Sequence, residues 1–229
     1  MAAAPAVRWL ALESNPDAIN AFLSRMGVPG IECMDVFSFD EEMLSFVPSP
    51  QIALIVCYPE YKKVETLKAP EYEKLKAEGK GDVPSNVFFM RQHIRNACGT
   101  FALFHSLANN EKNIDLGSGS FSEWLTRAKA VGIEERSKLL EEDASLASAH
   151  EAAARAGETE NEEKPTHNFI TFIVVDGLLY ELDSSAPFPR HLGPSSPETL
   201  VKDAGKHVLE VASKLDGNIS FSALALVRK

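Results

Sequence analysis

Between Ala97 and Ala108 the chain carries no formally charged residue, and its apolar positions fall all the way round a helical wheel. A helix of that kind is enclosed by protein rather than laid on a surface. The run Ile52-Ala53-Leu54-Ile55-Val56-Cys57-Tyr58 is also uncharged, and it reads as a strand buried on both faces. A chain holding both needs a substantial core. At 229 residues it can build one, because a chain of this size buries roughly 70% or more of its surface. That length suits one large domain or two small ones.

Other elements are signalled around these two. Asn15 is a candidate N-cap, Pro16 the first helical position and Gly27 the stop of a helix carrying Ile19, Phe22, Leu23 and Met26. A short helix is expected over Asp40 to Phe46 and a solvated one within Glu60 to Gly81. Ser120 to Val131 and Ser137 to Ala156 have helical composition, with Trp124 and Leu125 facing inward in the first. Asn168 to Val175, the turn Asp176-Gly177 and Leu178 to Leu182 form a hairpin signal. A late helix is expected over Leu200 to Leu215 and a last strand over Ile219 to Val227. Without regular βαβ spacing, these elements predict a mixed α-β domain rather than a doubly wound one.

Lys and Arg number 23 and Asp and Glu 33, a net charge of −10. Nucleic acid and an anionic membrane surface are therefore unsuitable partners. Eight of the acids lie in Glu141 to Glu163, against the single base Arg155. From Gly157 that segment lacks apolar residues to bury and is expected to be mobile, either as a solvated loop or as a functional lid. The three cysteines, Cys33, Cys57 and Cys98, form no C-x-x-C pair, which excludes a zinc ribbon or dithiol motif and suits a reducing compartment. With no apolar run long enough to span a bilayer and no evident leader, a cytoplasmic place is expected, with the nucleus also open. Nothing suggests a coiled coil or a large exposed apolar face, so a monomer is expected.

One cysteine has a chemical setting. Cys98 opens the uncharged helix, two residues after Asn96, a candidate N-cap. Free N–H groups and the helix dipole there favour a thiolate. Gly99 next to it leaves room for a substrate backbone. Taken alone, such a cysteine is more often a buried structural residue. Gln92, six residues upstream, alters that balance, because its amide and the Cys98 N–H can form an oxyanion hole. A base and a group to orient it are also required. His167 enters the hairpin and Asp183 leaves it, so pairing of the strands can make them neighbours. His93 adjoins the oxyanion candidate, His105 reads as a core histidine, His150 lies in the acidic insert, and His191 and His207 lack a distinctive setting.

The stretch Gln92-His93-Ile94-Arg95-Asn96-Ala97-Cys98-Gly99-Thr100, continuing through Leu103-Phe104-His105 to Asn109-Asn110, resembles the active-site signature of the ubiquitin carboxyl-terminal hydrolases (peptidase family C12). Val175 to Asp183 followed by Pro187-Phe188-Pro189 is similar to the family's His/Asp region, and Arg8-Trp9-Leu10, Asn15-Pro16 and Phe221 to Leu226 match as well. The chain stops soon after that last strand, like the short members without a C-terminal extension. The resemblance implies an α+β fold, α-β-α layered, with a mixed or antiparallel central sheet flanked by helices, of the papain-like cysteine protease type. It implies one catalytic domain over 1–229 with a mobile acidic crossover loop at about 146–166.

The resemblance also implies a deubiquitinating thiol hydrolase that cleaves after the C-terminal glycine of ubiquitin, or of a ubiquitin-like modifier, and releases small or unfolded adducts. Cys98 is then the nucleophile, Gln92 the oxyanion donor, His167 the general base and Asp183 the residue that orients it, with no cofactor and no metal. The acid excess would steer ubiquitin's basic face and tail. Two positions depart from the pattern. Ser184 stands where the family usually has Gly, and an ungapped reading puts Asn168, not His167, at the catalytic histidine position. A single-residue step along a strand reverses the side chain's face. The expected remedy is a β-bulge that re-aims His167. The alternative is a degraded base and a catalytically impaired ubiquitin-binding module.

Overall fold

The computed structural model describes residues 7–157, 165–215 and 219–229. Helix α1 (Pro16–Met26) begins where Asn15 Oδ1 accepts the Asp17 N–H at 2.9 Å and ends on left-handed Gly27, as its sequence predicts. Strand β1 (Ile31–Asp35) and the single turn α2 (Glu41–Leu44) lead into β2 (Gln51–Tyr58), which is buried throughout. Helices α3 (Tyr61–Ala77), α4 (Cys98–Ala108), α5 (Ser120–Lys129), α6 (Ile133–Glu141) and α7 (Ala144–Arg155) follow. Strands β3 (Asn168–Val175) and β4 (Leu178–Leu182) are joined through Asp176 and Gly177, whose φ values of 50° and 76° suit a two-residue type I′ turn. Strand β5 (Arg190–Pro194), helix α8 (Leu200–Lys214) and strand β6 (Ser222–Arg228) complete the described elements.

The strands form one sheet in the order β1-β6-β2-β3-β4-β5, with every neighbouring pair antiparallel. The α+β class and layering are as expected, and the sheet is wholly antiparallel among the described residues. Strand alternation divides the core in two. Ile55, Phe169, Ile173, Leu182 and Leu224 pack toward α1, α4, α5 and α7. Leu54, Ile170, Phe172 and Ala225 pack against Leu200, Val201, Ala204 and Val208 of α8.

All eleven residues of α4 are buried, so its polar groups need protein partners. Ser106 Oγ donates to the Ala102 carbonyl at 2.8 Å and lies 2.8 Å from Thr171 Oγ1 of β3. At the C-terminus, where helix carbonyls lose their intrahelical partners, Asn109 Nδ2 donates to the His105 and Phe88 carbonyls. Asn110 Nδ2 donates to the Ser106 and Ile52 carbonyls, fastening the helix to β2.

Four expectations change. The helical composition over 137–156 divides into α6 and α7 at Asp143, whose carboxylate accepts the Leu146 N–H at 3.0 Å and caps α7. Residues 146–155 of the expected crossover loop therefore belong to a helix, and residues 158–164, with Glu158, Glu160, Glu162 and Glu163, lie outside the described residues. Strands β1 and β5 occupy the two sheet edges and have no counterpart in the sequence reading. Helix α3 is not wholly solvated, because Val64, Lys68 and Tyr72 are buried. Lys68 Nζ bonds Glu181 of β4 at 2.8 Å, and Arg190 of β5 takes the same carboxylate through Nε at 3.1 Å and Nη2 at 3.0 Å.

Candidate active site

Cys98 is the first residue of α4 and only 4% exposed. Asn96 does not cap the helix. It sits in a left-handed turn at φ 64°, and its Nδ2 donates to the Trp9 carbonyl at 3.2 Å. That bond ties the approach to α4 to the N-terminal segment, while Ala97 takes the cap position with no side-chain bond. Gly99 also has a different role from the one expected. A Cβ there would meet Leu12 Cβ at 3.1 Å and Phe169 Cδ2 at 3.4 Å, so the missing side chain admits the protein's own core.

Burial pushes the Cys98 thiol up to about 11, against the pull of the Phe169, Gly99 and Cys98 N–H groups that face the sulfur. The expected low-pKa thiol is thus reversed: the donors are present, but desolvation outweighs them, and the nearby Asp183 carboxylate adds to the rise. Because the thiolate is the nucleophile, iodoacetamide should alkylate Cys98 of the free protein about tenfold faster per pH unit from roughly pH 7 to 10. A rate that levels off below about pH 9 would show a thiolate already formed. Cys33 and Cys57 are buried and shifted upward by burial, so they should contribute little.

The peptide unit whose N–H meets the sulfur joins Asn168 to Phe169. Strand β3 pairs with β2 from Asn168 to Phe172 and with β4 from Thr171 to Val175 without a register shift. The bulge expected to re-aim His167 is therefore absent from the strand. The place beside Asp183 goes to Asn168, whose buried Nδ2 donates to Asp183 Oδ1 at 3.2 Å. The same oxygen accepts the Ser185 N–H at 2.9 Å, and Oδ2 accepts the Tyr61 hydroxyl. Burial raises the Asp183 carboxyl above its ordinary value, opposed by the Tyr61 hydrogen bond and Lys68. His167 stands one residue before β3, with its ring edge-on to Phe169 at 5.7 Å. Two anchors bracket it. Tyr61 N–H donates to the Thr166 carbonyl at 3.2 Å, and Asn168 is held by Asp183.

Gln92 is half-buried and clasped by the residue after Asp183. Its N–H donates to the Ser184 carbonyl at 2.9 Å, Ser184 Oγ donates to Gln92 Oε1 at 3.0 Å, and Gln92 Nε2 donates to the Ile94 carbonyl at 2.9 Å. Asp183 and Gln92 are thus joined through one backbone step, and Cys98 meets the start of β3. Tyr61 was not legible as part of this cluster, since 122 positions separate it from Asp183.

The remaining histidines lie elsewhere. His105 Nε2 accepts the Met90 N–H at 3.1 Å, and burial depresses its pKa to about 3. His150 belongs to α7, not to a loop. It bridges Thr100 Oγ1 at 2.6 Å and the Leu10 carbonyl at 2.8 Å, and burial takes it down to about 4. His93 is exposed and pairs with Glu134 at 2.7 Å.

The profile of "ubiquitin carboxyl-terminal hydrolase, family 1" matches residues 9–212. A Drosophila melanogaster ubiquitin carboxyl-terminal hydrolase is 38% identical over 221 residues, covering 95% of this chain and 96% of the relative. The chain belongs to this family. The human isozyme L1 is 38% identical over 95% of this chain and 97% of its own length. The Arabidopsis thaliana ubiquitin carboxyl-terminal hydrolase 3 is 38% identical over 97% and 95%. Among solved structures, the Trichinella spiralis UCH37 catalytic domain bound to ubiquitin vinyl methyl ester superposes with a TM-score of 0.73 at 21% identity, covering 97% of this chain and 96% of that one. The family's fold accordingly extends over nearly the whole chain, with Cys98, Gln92 and Asp183 at adjoining corners of it.

Proposed function

We propose that this family member is a cysteine-type ubiquitinyl hydrolase. Its substrate is the amide, ester or thioester bond after the terminal glycine of ubiquitin or of a ubiquitin-like modifier. The observation that carries the reading is the seat of Cys98, a thiol at the start of a buried helix, ringed by three backbone N–H donors and preceded by the clasped Gln92. In this reading Cys98 Sγ attacks the carbonyl carbon and gives its proton to His167. The oxyanion lies against Gln92 Nε2 and the Cys98 N–H. Collapse of the intermediate expels the leaving group, which takes the proton from His167. Water then cleaves the thioester by the reverse sequence, and the thiol returns. No metal or organic cofactor enters these steps.

His167 is supported as the base by its contact with Phe169, whose N–H faces the sulfur, and by the two anchors that bracket it. Asp183 then acts on it through Asn168 and Tyr61. Ubiquitin as partner is supported by the solved relative that carries ubiquitin vinyl methyl ester. We place the protein as a monomer in the cytoplasm or nucleus.

One observation favours a second reading. Asn168 holds the carboxylate that would otherwise orient an imidazole, as suits a ubiquitin-binding module with little turnover. Hydrolysis of a fluorogenic ubiquitin amide by the parent chain, with Cys98→Ala as background and ubiquitin affinity measured in parallel, separates the two. Turnover above that background is expected. Tight ubiquitin binding with none would establish the second reading.

A further inference from the structure

Ser184 is 3% exposed and makes two contacts with one partner. Its carbonyl accepts the Gln92 N–H, and its hydroxyl donates to Gln92 Oε1 at 3.0 Å. The far side of the Gln92 amide faces the Ile94 carbonyl at 2.9 Å. A carbonyl offers no proton, so the group facing it must be the NH2, and Oε1 must face Ser184. That fixes the amide against a half-turn. One Nε2 hydrogen is spent on Ile94, and the other projects from an amide whose plane is held at both ends.

We propose that Ser184 is a positioning residue for the oxyanion donor: its hydroxyl locks the Gln92 amide so that Nε2–H, and not Oε1, is presented to the developing negative charge. The resemblance to the family puts glycine at this position, and glycine has no hydroxyl to supply. Here the side chain adds a donor next to Asp183, coupling the corner that carries the acid to the corner that carries the oxyanion hole. A flipped amide would aim an acceptor at the oxyanion, turning a stabilising dipole into a repulsive one.

The inference rests on the hydrolase reading for Gln92, and its test does not depend on turnover. Ubiquitin bearing a C-terminal aldehyde adds reversibly to a thiol: the S–C bond forms, the C=O π bond opens, and the oxygen becomes the tetrahedral alkoxide or hydroxyl. Its affinity relative to plain ubiquitin reports the oxyanion hole without needing a leaving group. Ser184→Ala, which keeps the backbone clasp, should weaken the aldehyde about five- to tenfold, a fraction of the 10²–10³ that a whole oxyanion donor is worth. Plain ubiquitin affinity should stay within about twofold. In a Gln92→Ala background the same change should have no further effect, and Ser184→Thr should retain parent affinity for the aldehyde. Equal aldehyde affinity for parent and Ser184→Ala would overturn the proposal, as would a full effect persisting without Gln92. If the parent binds the aldehyde in a Ser184-dependent way but fails to turn over the fluorogenic amide, the positioning role stands and the hydrolase reading falls.

Discussion

Asn168→His is expected to raise kcat for a fluorogenic ubiquitin amide about a hundredfold, with KM moving less than about twofold, because an imidazole oriented by a carboxylate is worth up to about 10⁴ over one without that support. The seat is already built. Asn168 Nδ2 bonds Asp183 Oδ1 at 3.2 Å, the bond an imidazole Nδ1–H would make. The peptide unit after Asn168 delivers the N–H that meets the Cys98 sulfur, so this position is bonded to the acid and lies one peptide unit from the thiol. In the parent, His167 is one residue outside β3, and strand alternation turns it to the opposite face from Asn168. The histidine variant supplies the direct support, and adding Asp183→Asn to it should remove most of the gain. A folded Asn168→His variant with unchanged kcat would show that the base already works at full efficiency from position 167.

Why Asn168 and not His167 meets Asp183 follows from the hairpin. A two-residue turn at Asp176-Gly177 fixes the pairing of Val175 with Leu178 and of Thr171 with Leu182. Continuing that register sets Asp183 opposite Ile170, on the face that strand alternation gives to Asn168 and denies to His167. The turn and the strand bounds were legible in the sequence, and the register follows from them once the two-residue turn is in place. The bulge expected in their place does not form, and the β3 register runs without a shift from Asn168 to Val175.

Other features were legible for similarly local reasons. The cap and stop of α1 and the all-round burial of α4 depend on residues within a few positions of each other. Strands β1 and β5 were not legible, because each lies at a sheet edge, where one side of the ladder is unpaired and residues such as Gly193 and Pro194 are tolerated. The Tyr61–Asp183 and Ser184–Gln92 bonds were hidden for another reason. Each joins residues 122 and 92 positions apart and is created only when the sheet forms. The sign of the Cys98 shift was misjudged because position at a helix start is visible in sequence, whereas the desolvation that overrides it is a property of packing.

Glu181→Ala is expected to destabilise the protein by about 3–5 kcal/mol, the usual cost of leaving a buried charge uncompensated. Glu181 is 1% exposed and holds Lys68, 4% exposed, and Arg190, 5% exposed, on one carboxylate. Truncation would leave buried Lys68 without its carboxylate and Arg190 with only the exposed-side Glu71, the two cations facing each other across the vacated space. Burial alone would raise the Glu181 carboxyl, but Lys68 and Arg190 overcome that and bring it down to about 2 from 4.5. A carboxyl whose pKa is lower in the folded state contributes stability above its unfolded value and loses it as pH falls toward the folded one. The contribution, on the order of 3 kcal/mol, should therefore be present above about pH 4.5 and fade toward about pH 2. Urea unfolding at neutral pH should show a lowered midpoint for Glu181→Ala, and its acid limb between about pH 4.5 and 2 should be flatter than the parent's. A loss under about 1 kcal/mol would mean that water reaches the cluster and screens it. Because Glu181 precedes Asp183 by two residues on the same strand end, the variant should also loosen the Asn168 and Tyr61 anchors and lower turnover. The Asp183→Asn change acts on those anchors directly, so it should affect turnover far more than stability.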